Sequence, residues 1–119
     1  MTEIRRIEPG PRLSEAVIYD GKIYTAGVVA DSTIGKSVLE QAQEILQQID
    51  DLLAKAGTDK TRILKANIWL ADITTRDQMN QAWDAWVVPG QTPARATVEA
   101  KLALPGYAVE IMVEAAVVR

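Results

Sequence analysis

The segment from Val109 to Val118 constrains the fold more than any other part of the chain. Val109, Ile111, Val113, Ala115 and Val117 alternate with Glu110, Met112, Glu114, Ala116 and Val118. A period of two is that of a β-strand, and the first set forms one continuous apolar face. The second set is also partly apolar. A strand with one face in water alternates cleanly with polar residues, so both faces of this one call for cover. The chain has 119 residues, room for one small domain. Its helical segments can cover one face of a sheet and no more. A second copy of the chain is expected to cover the other face, in a symmetric homo-oligomer.

The remaining periodicity supplies the other elements. Ile4–Ile7 reads as an edge strand before Pro9-Gly10-Pro11. Ala16–Tyr19 and Lys22–Gly27 are β-type runs joined by Asp20-Gly21, a pair suited to the type I′ hairpin turn, which needs φ > 0 at both positions. Ser37-Val38-Leu39-Glu40 has the form of a capping box. Behind it Val38, Leu39, Ala42, Ile45, Leu46, Ile49, Leu52, Leu53 and Ala56 keep helical spacing, which predicts an amphipathic helix of about five turns. Gly57 ends it. Gln41, Gln43, Glu44, Gln47, Gln48, Asp51 and Lys55 fall on its other face. Ile63–Leu70 is the next strand. A second helix starts within Thr74–Asp77, places Met79, Ala82, Trp83, Trp86 and Val87 on one stripe, and stops at Pro89-Gly90. Ala94–Ala100 and Tyr107–Val118 are the last strands. The expected fold is α+β, one domain over residues 1–119, with two helices on one face of a four- to five-stranded mixed sheet.

Composition narrows the chemistry. The chain contains neither His nor Cys. Disulfides, thiolate catalysis, imidazole bases and the commonest transition-metal ligands are excluded. Net charge is −3, which disfavours a broad electrostatic grip on nucleic acid. No apolar run reaches the roughly 18 residues of a membrane span. No apolar h-region follows Met1-Thr2-Glu3-Ile4-Arg5-Arg6, so a cytoplasmic protein without a signal peptide is expected. Asp50-Asp51 and Glu110/Glu114 lack the spacing of a carboxylate cage, and no phosphate loop or nucleophile elbow is present. No metal or organic cofactor is expected.

Any chemistry then rests on Arg, Lys, carboxylates, hydroxyls and backbone groups. Arg95 is a cation among small and apolar neighbours in Pro93-Ala94-Arg95-Ala96-Thr97-Val98-Glu99, well suited to hold a carboxylate through two parallel N–H···O bonds. Glu110 stands on the following strand-like run. If the two strands are antiparallel neighbours, Glu110 lies close enough to orient or deprotonate a water beside a ligand on Arg95. A structural salt bridge between the two is the alternative. Gly27 marks either a close backbone approach or a plain bulge. Asn80 is a helix residue able to orient a loop or to face water. Trp69, Trp83 and Trp86 read as core packing rather than a stacking platform. Tyr107, after Pro105-Gly106, stands at a strand start or a cleft rim.

The run from Pro93 to Glu99, followed by Leu104-Pro105-Gly106 and Val109-Glu110-Ile111, resembles the signature of the RidA/YjgF family of reactive intermediate (enamine/imine) deaminases. The resemblance extends over nearly the whole chain, through Asp20-Gly21, Tyr24-Thr25-Ala26-Gly27, Ala56-Gly57 and Ala71-Asp72. The segment Met79-Asn80-Gln81-Ala82-Trp83-Asp84-Ala85-Trp86-Val87-Val88 is most similar to the YoaB-like branch. The resemblance implies a chorismate-mutase-like fold and a homotrimer with a central barrel, helices outside and clefts between subunits. It implies that Arg95 binds the substrate carboxylate and Glu110 orients the attacking water, with Gly27, Asn80 and Thr97 near the site. Leu13 stands where archetypal members carry a cleft tyrosine, and Thr97 where many carry cysteine. The turn before Glu110 is one residue longer than in the archetype, and aligning on that turn instead places Met112 at the acidic position. The implied activity is hydrolysis of short 2-aminoacrylate-type enamines, through their imine tautomers, to a 2-keto acid and ammonia. A non-catalytic protein binding small carboxylates in the same cleft is the alternative. Ribonuclease or translation-inhibitor activity, attached to parts of the family, is disfavoured by the charge and the missing His.

Overall fold

The computed structural model describes residues 3–117. The strands are β1 (Arg5–Pro9), β2 (Ser14–Tyr19), β3 (Lys22–Thr25), β4 (Val28–Val29), β5 (Ile63–Leu70), β6 (Ala94–Glu99) and β7 (Val109–Ala116). The helices are α1 (Val38–Lys55) and α2 (Arg76–Trp86). The α+β class and the two helices agree with the expectation. The sheet is larger than expected, with seven strands in the order β1-β2-β3-β7-β5-β6 and β4 also on β7. Val118, placed in the last strand from the sequence, lies outside the described residues.

The extra strand comes from a break in the Lys22–Gly27 run. β3 pairs with β7 up to Tyr24–Glu114, and β4 resumes the pairing at Val28–Ile111. Between them the ladder is interrupted, and the buried Thr25 closes the gap. Its hydroxyl accepts from the Val113 amide at 3.1 Å and donates to the Ala26 carbonyl at 2.9 Å. Satisfying a buried backbone donor this way avoids an orphan worth about 1–3 kcal/mol. The Asp20-Gly21 turn is as expected, with φ of 52° and 77°. Such a turn matches the twist of the strands it joins.

β6 runs parallel to β5, whereas β7 runs antiparallel to β5 from the other side. The last two strands are therefore not neighbours, contrary to the expectation. Helix α2 lies between β5 and β6 in the chain, and a parallel pair needs such a crossover. β7 then fits the remaining slot at the centre.

α1 begins with the expected capping box. The Glu40 amide donates to Ser37 Oγ at 3.1 Å, and the Ser37 amide to Glu40 Oε1 at 3.5 Å. It ends with the Gly57 amide on the Ala54 carbonyl and the Thr58 amide on the Leu53 carbonyl, both at 3.0 Å. Gly57 has φ 78°, the left-handed conformation that glycine adopts at least cost. The apolar stripe of α1 and Met79, Ala82 and Trp83 of α2 are buried in the core with Val109, Ile111, Val113 and Ala115 of β7. Gln41 departs from the expected polar face, being fully buried. It stands three residues after Val38 and four before Ile45, so helical geometry puts it on the core side.

Among the described residues, the other face of the sheet carries no helix. Glu110, Met112 and Glu114 are half-buried there, beside Trp69 and Asn67, with Tyr24 and Val98 exposed. This is the second face that the alternation of β7 marked as needing cover. No helix of the described residues is long and apolar enough to cross a membrane.

Candidate active site

The ladder register assigns the candidate side chains on the strands to a face. Arg95 pairs with Ala66, which pairs with the buried Val113. Directly opposed residues share a face, so Arg95 lies on the helix side. Its guanidinium carbon stands 5.2 Å from the centre of the Trp83 ring of α2. A guanidinium over an indole is held by the ring quadrupole while its donors stay free. Glu110 pairs with Trp69, which pairs with Val98, and these three share the open face. Arg95 and Glu110 are thus two strands apart and on opposite faces. They do not pair, and one chain does not bring them to a common ligand.

The expected site residues divide into two groups. Thr97 follows Arg95 by two positions and shares its face. Its hydroxyl oxygen is buried without a hydrogen-bond partner. Asn80 lies half-buried on α2, the helix that supplies Trp83. The second group includes Glu110 and the cleft beside Gly27. Gly27 sits so close to the Glu110 carboxylate that a β-carbon there would overlap it. That is the reason for glycine at this position, whose φ is ordinary. Gly27, Leu13 and Tyr107 line one cleft of about 290 Å³. Leu13 is 55% exposed at its rim. Burial pushes the Glu110 carboxyl above its usual range. Met112, the alternative acidic position, lies on the same face opposite Asn67.

A larger cavity of about 660 Å³ is formed by residues 99–105 with Ala71 and Tyr107. Neither Arg95 nor Glu110 lines it. It meets the smaller cleft only at Tyr107.

Residues not singled out from the sequence hold the second group in place. Gln41 Nε2 donates to the carbonyls of Lys36 and Gly106, each at 3.0 Å, and its Oε1 accepts from the Ala108 amide at 3.0 Å. One buried amide thereby fixes both loops beside Tyr107. Glu44 accepts from the amides of Asp31, Ser32 and Thr33 and from the hydroxyls of Ser32 and Thr33. The Thr33 hydroxyl, with the three amides, lowers its pKa to about 2 against the opposing cost of burial. Gln48 donates to the Val29 carbonyl at 3.1 Å. The only sequence signal for these roles was helical phase, which turns Gln41 inward.

Residues 3–117 match the family model described as Endoribonuclease L-PSP. The chain is 51% identical to a RutC family protein of Haemophilus influenzae, over 92% of this chain and 95% of that one. It is 45% identical to the RutC family protein YoaB of Escherichia coli, over 96% and 98%. It is 31% identical to the 2-iminobutanoate/2-iminopropanoate deaminase of Rattus norvegicus, over 82% and 74%. A crystal structure of a YjgF family member from Neisseria meningitidis superposes with a TM-score of 0.95 at 44% identity, covering 99% of this chain and 98% of that one. With the matched run from Arg95 to Glu110 standing in the fold of that structure, the chain belongs to the RidA/YjgF family, on its YoaB-like side.

Proposed function

We propose that the protein hydrolyses short 2-imino acids, the tautomers of 2-aminoacrylate-type enamines, to 2-keto acids and ammonia. The family relation to 2-iminobutanoate/2-iminopropanoate deaminases supports this class of reaction. The observation that carries the reading is the split of the site. Arg95 and Thr97 stand on the helix side of the sheet, with Asn80 on α2, and Glu110 stands against Gly27 on the open side, with Leu13 and Tyr107 lining the cleft beside Gly27. Both halves meet only if the first group of one subunit faces the second group of its neighbour. The uncovered, partly apolar sheet face supports such an assembly, and a homotrimer closes it with three equivalent clefts.

In this reading Arg95 binds the substrate carboxylate in a fork of two hydrogen bonds, and Trp83 holds the guanidinium in place. The imine carbon then lies beside a water on the neighbouring subunit's Glu110. The ionised carboxylate accepts a proton as the water oxygen bonds to the imine carbon. Protonation of nitrogen and collapse of the tetrahedral adduct expel ammonia and leave the keto acid. A carboxyl raised by burial is suited to take the proton and return it. Water addition to C=N moves no electrons to an acceptor, so these steps require no redox cofactor. Imines hydrolyse unaided, and positioning alone supplies a large acceleration.

The test is keto-acid release from imines generated in situ. Wild type is expected to accelerate release, and Arg95→Ala to lose about 10²–10³-fold of that acceleration. Saturable keto-acid binding without turnover would instead establish a small-carboxylate binding protein. RNA cleavage is disfavoured by the net charge of −3 and the lack of His.

A further inference from the structure

The cleft beside Gly27 is charged on one side only. Glu15 and Asp31 line it, and Glu110, though not itself a lining residue, stands against Gly27, which is one. No Lys or Arg is among its lining residues. Among the described residues neither Glu15 nor Asp31 forms an ion pair, the one ion pair being Glu8 with Lys55. Lys55 feels the charge of Glu15, but its ammonium is held by Glu8. The Asp31 amide is turned to Glu44, which fixes the loop that presents Asp31. In the composite site the only cation assigned to the substrate is Arg95, and the 2-carboxylate occupies it.

From this distribution we infer that the site selects among imino acids by side-chain charge, with Glu15 and Asp31 as the selecting residues. It takes neutral and cationic side chains and rejects those bearing a second carboxylate. The inference rests on the proposed reading of the cleft as the imine site. The side chain of a substrate held between Arg95 and Glu110 leaves the reacting carbon on the Glu110 side, where the cleft of Leu13, Gly27 and Tyr107 opens. A second carboxylate placed there meets like charges and finds no donor cation among the lining residues. At separations of several ångströms the two repulsions together are worth about tenfold in the rate constant at low salt. A terminal ammonium or guanidinium meets the same two carboxylates favourably. Leu13, open at the rim, offers apolar contact to the methylenes of either kind.

The test uses the full-length protein and imines released by amino acid oxidases from leucine, arginine and glutamate. Apparent kcat/KM is compared at low and high ionic strength. The wild type is expected to favour the leucine and arginine imines over the glutamate imine by about tenfold or more, less so at high salt. In the double variant Glu15→Gln/Asp31→Asn that ratio is expected to fall about tenfold. Equal turnover of all three imines, or a ratio the double variant leaves unchanged, would overturn the inference while leaving the deaminase reading intact. If no imine is turned over, the deaminase reading fails, and calorimetric binding of 2-oxobutanoate against 2-oxoglutarate decides the same selectivity. Preference for the monocarboxylate that weakens in the double variant supports it, and equal affinity or no binding overturns it.

Discussion

Arg95 and Glu110 stand on opposite faces of one sheet, with β5 between their strands. Arg95 lies over Trp83 on the helix side, and Glu110 lies against Gly27 on the open side. They are fifteen positions apart in sequence, yet the parallel pairing of β6 and antiparallel pairing of β7 point them apart. A site that uses both needs two chains.

Gly27→Ala is expected to displace the Glu110 carboxylate, because the added β-carbon overlaps it. A carboxylate is the end of a flexible side chain, so the fold survives and the melting temperature changes little. Turnover falls by about 10–100-fold through misplacement of the water. Keto-acid release and thermal unfolding of the same preparation check the two halves of this statement.

In the proposed reaction Glu110 is expected to give the pH profile an acid limb. Its pKa is raised by burial, and the ionised form is the one that accepts a proton, so activity falls as pH drops through that raised value. Glu110→Gln is expected to lose about 10²–10⁴-fold of turnover and the acid limb with it. The stability sign is opposite to that of a salt-bridged carboxylate. A raised native pKa favours the protonated fold, so this contribution is full below the unfolded value and is lost as pH rises through the folded one. Glu110→Gln is therefore slightly more stable than wild type at pH 7 and indistinguishable from it at low pH, as denaturant titration at both pH values will show.

Glu44 has the other sign. Its pKa is lowered to about 2 by the Thr33 hydroxyl and the Asp31–Thr33 amides. The stability it contributes is full above the unfolded value near 4.5 and is lost as pH falls from there toward 2. Glu44→Gln is expected to cost about 1–2 kcal/mol at pH 7, discounted for solvent at a partly exposed site. Its stability should vary less than that of wild type between pH 5 and about 2, measured by the same titration.

Gln41→Leu keeps the volume and removes the bonds to Lys36, Gly106 and Ala108. The Gly106 carbonyl keeps the Gly35 amide, and loss of the other bonds at these part-buried groups is expected to cost about 1–2 kcal/mol. The loops that place Tyr107 should loosen with it, so amide exchange is expected to quicken at Gly35 and Ala108.

Much of this was readable in the residues because local chemistry dictated it. The capping box at Ser37, the Asp20-Gly21 turn, Gly57 and the apolar stripe of α1 each depend on neighbours a few positions away. The two-sided alternation of β7 likewise marked an uncovered face. The neighbour relations of the strands were not local. Nothing near Arg95 states that β6 pairs with β5 in parallel, so its nearness to Glu110 was inferred from a connection length and was wrong within the chain. The break at Thr25–Gly27 was hidden for a similar reason, since a threonine in a β-run looks like ladder rather than a repair of it. Trp83 was read as core, and it is buried, but its outer ring face also carries Arg95. The cleft residues Glu15 and Asp31 carry no motif, because segments distant in sequence bring them to one cleft.

The central claim is that each site is built from Arg95 of one subunit and Glu110 of another. Arg95→Ala and Glu110→Gln, each inactive alone, are unfolded together in equal amounts, refolded and assayed for keto-acid release. Random reassembly into trimers with between-subunit sites restores about a quarter of the sites to the wild-type pair. Recovery of about a quarter of wild-type activity is the predicted result. A refolded mixture that contains hybrid trimers and remains as inactive as the separate variants would contradict the account.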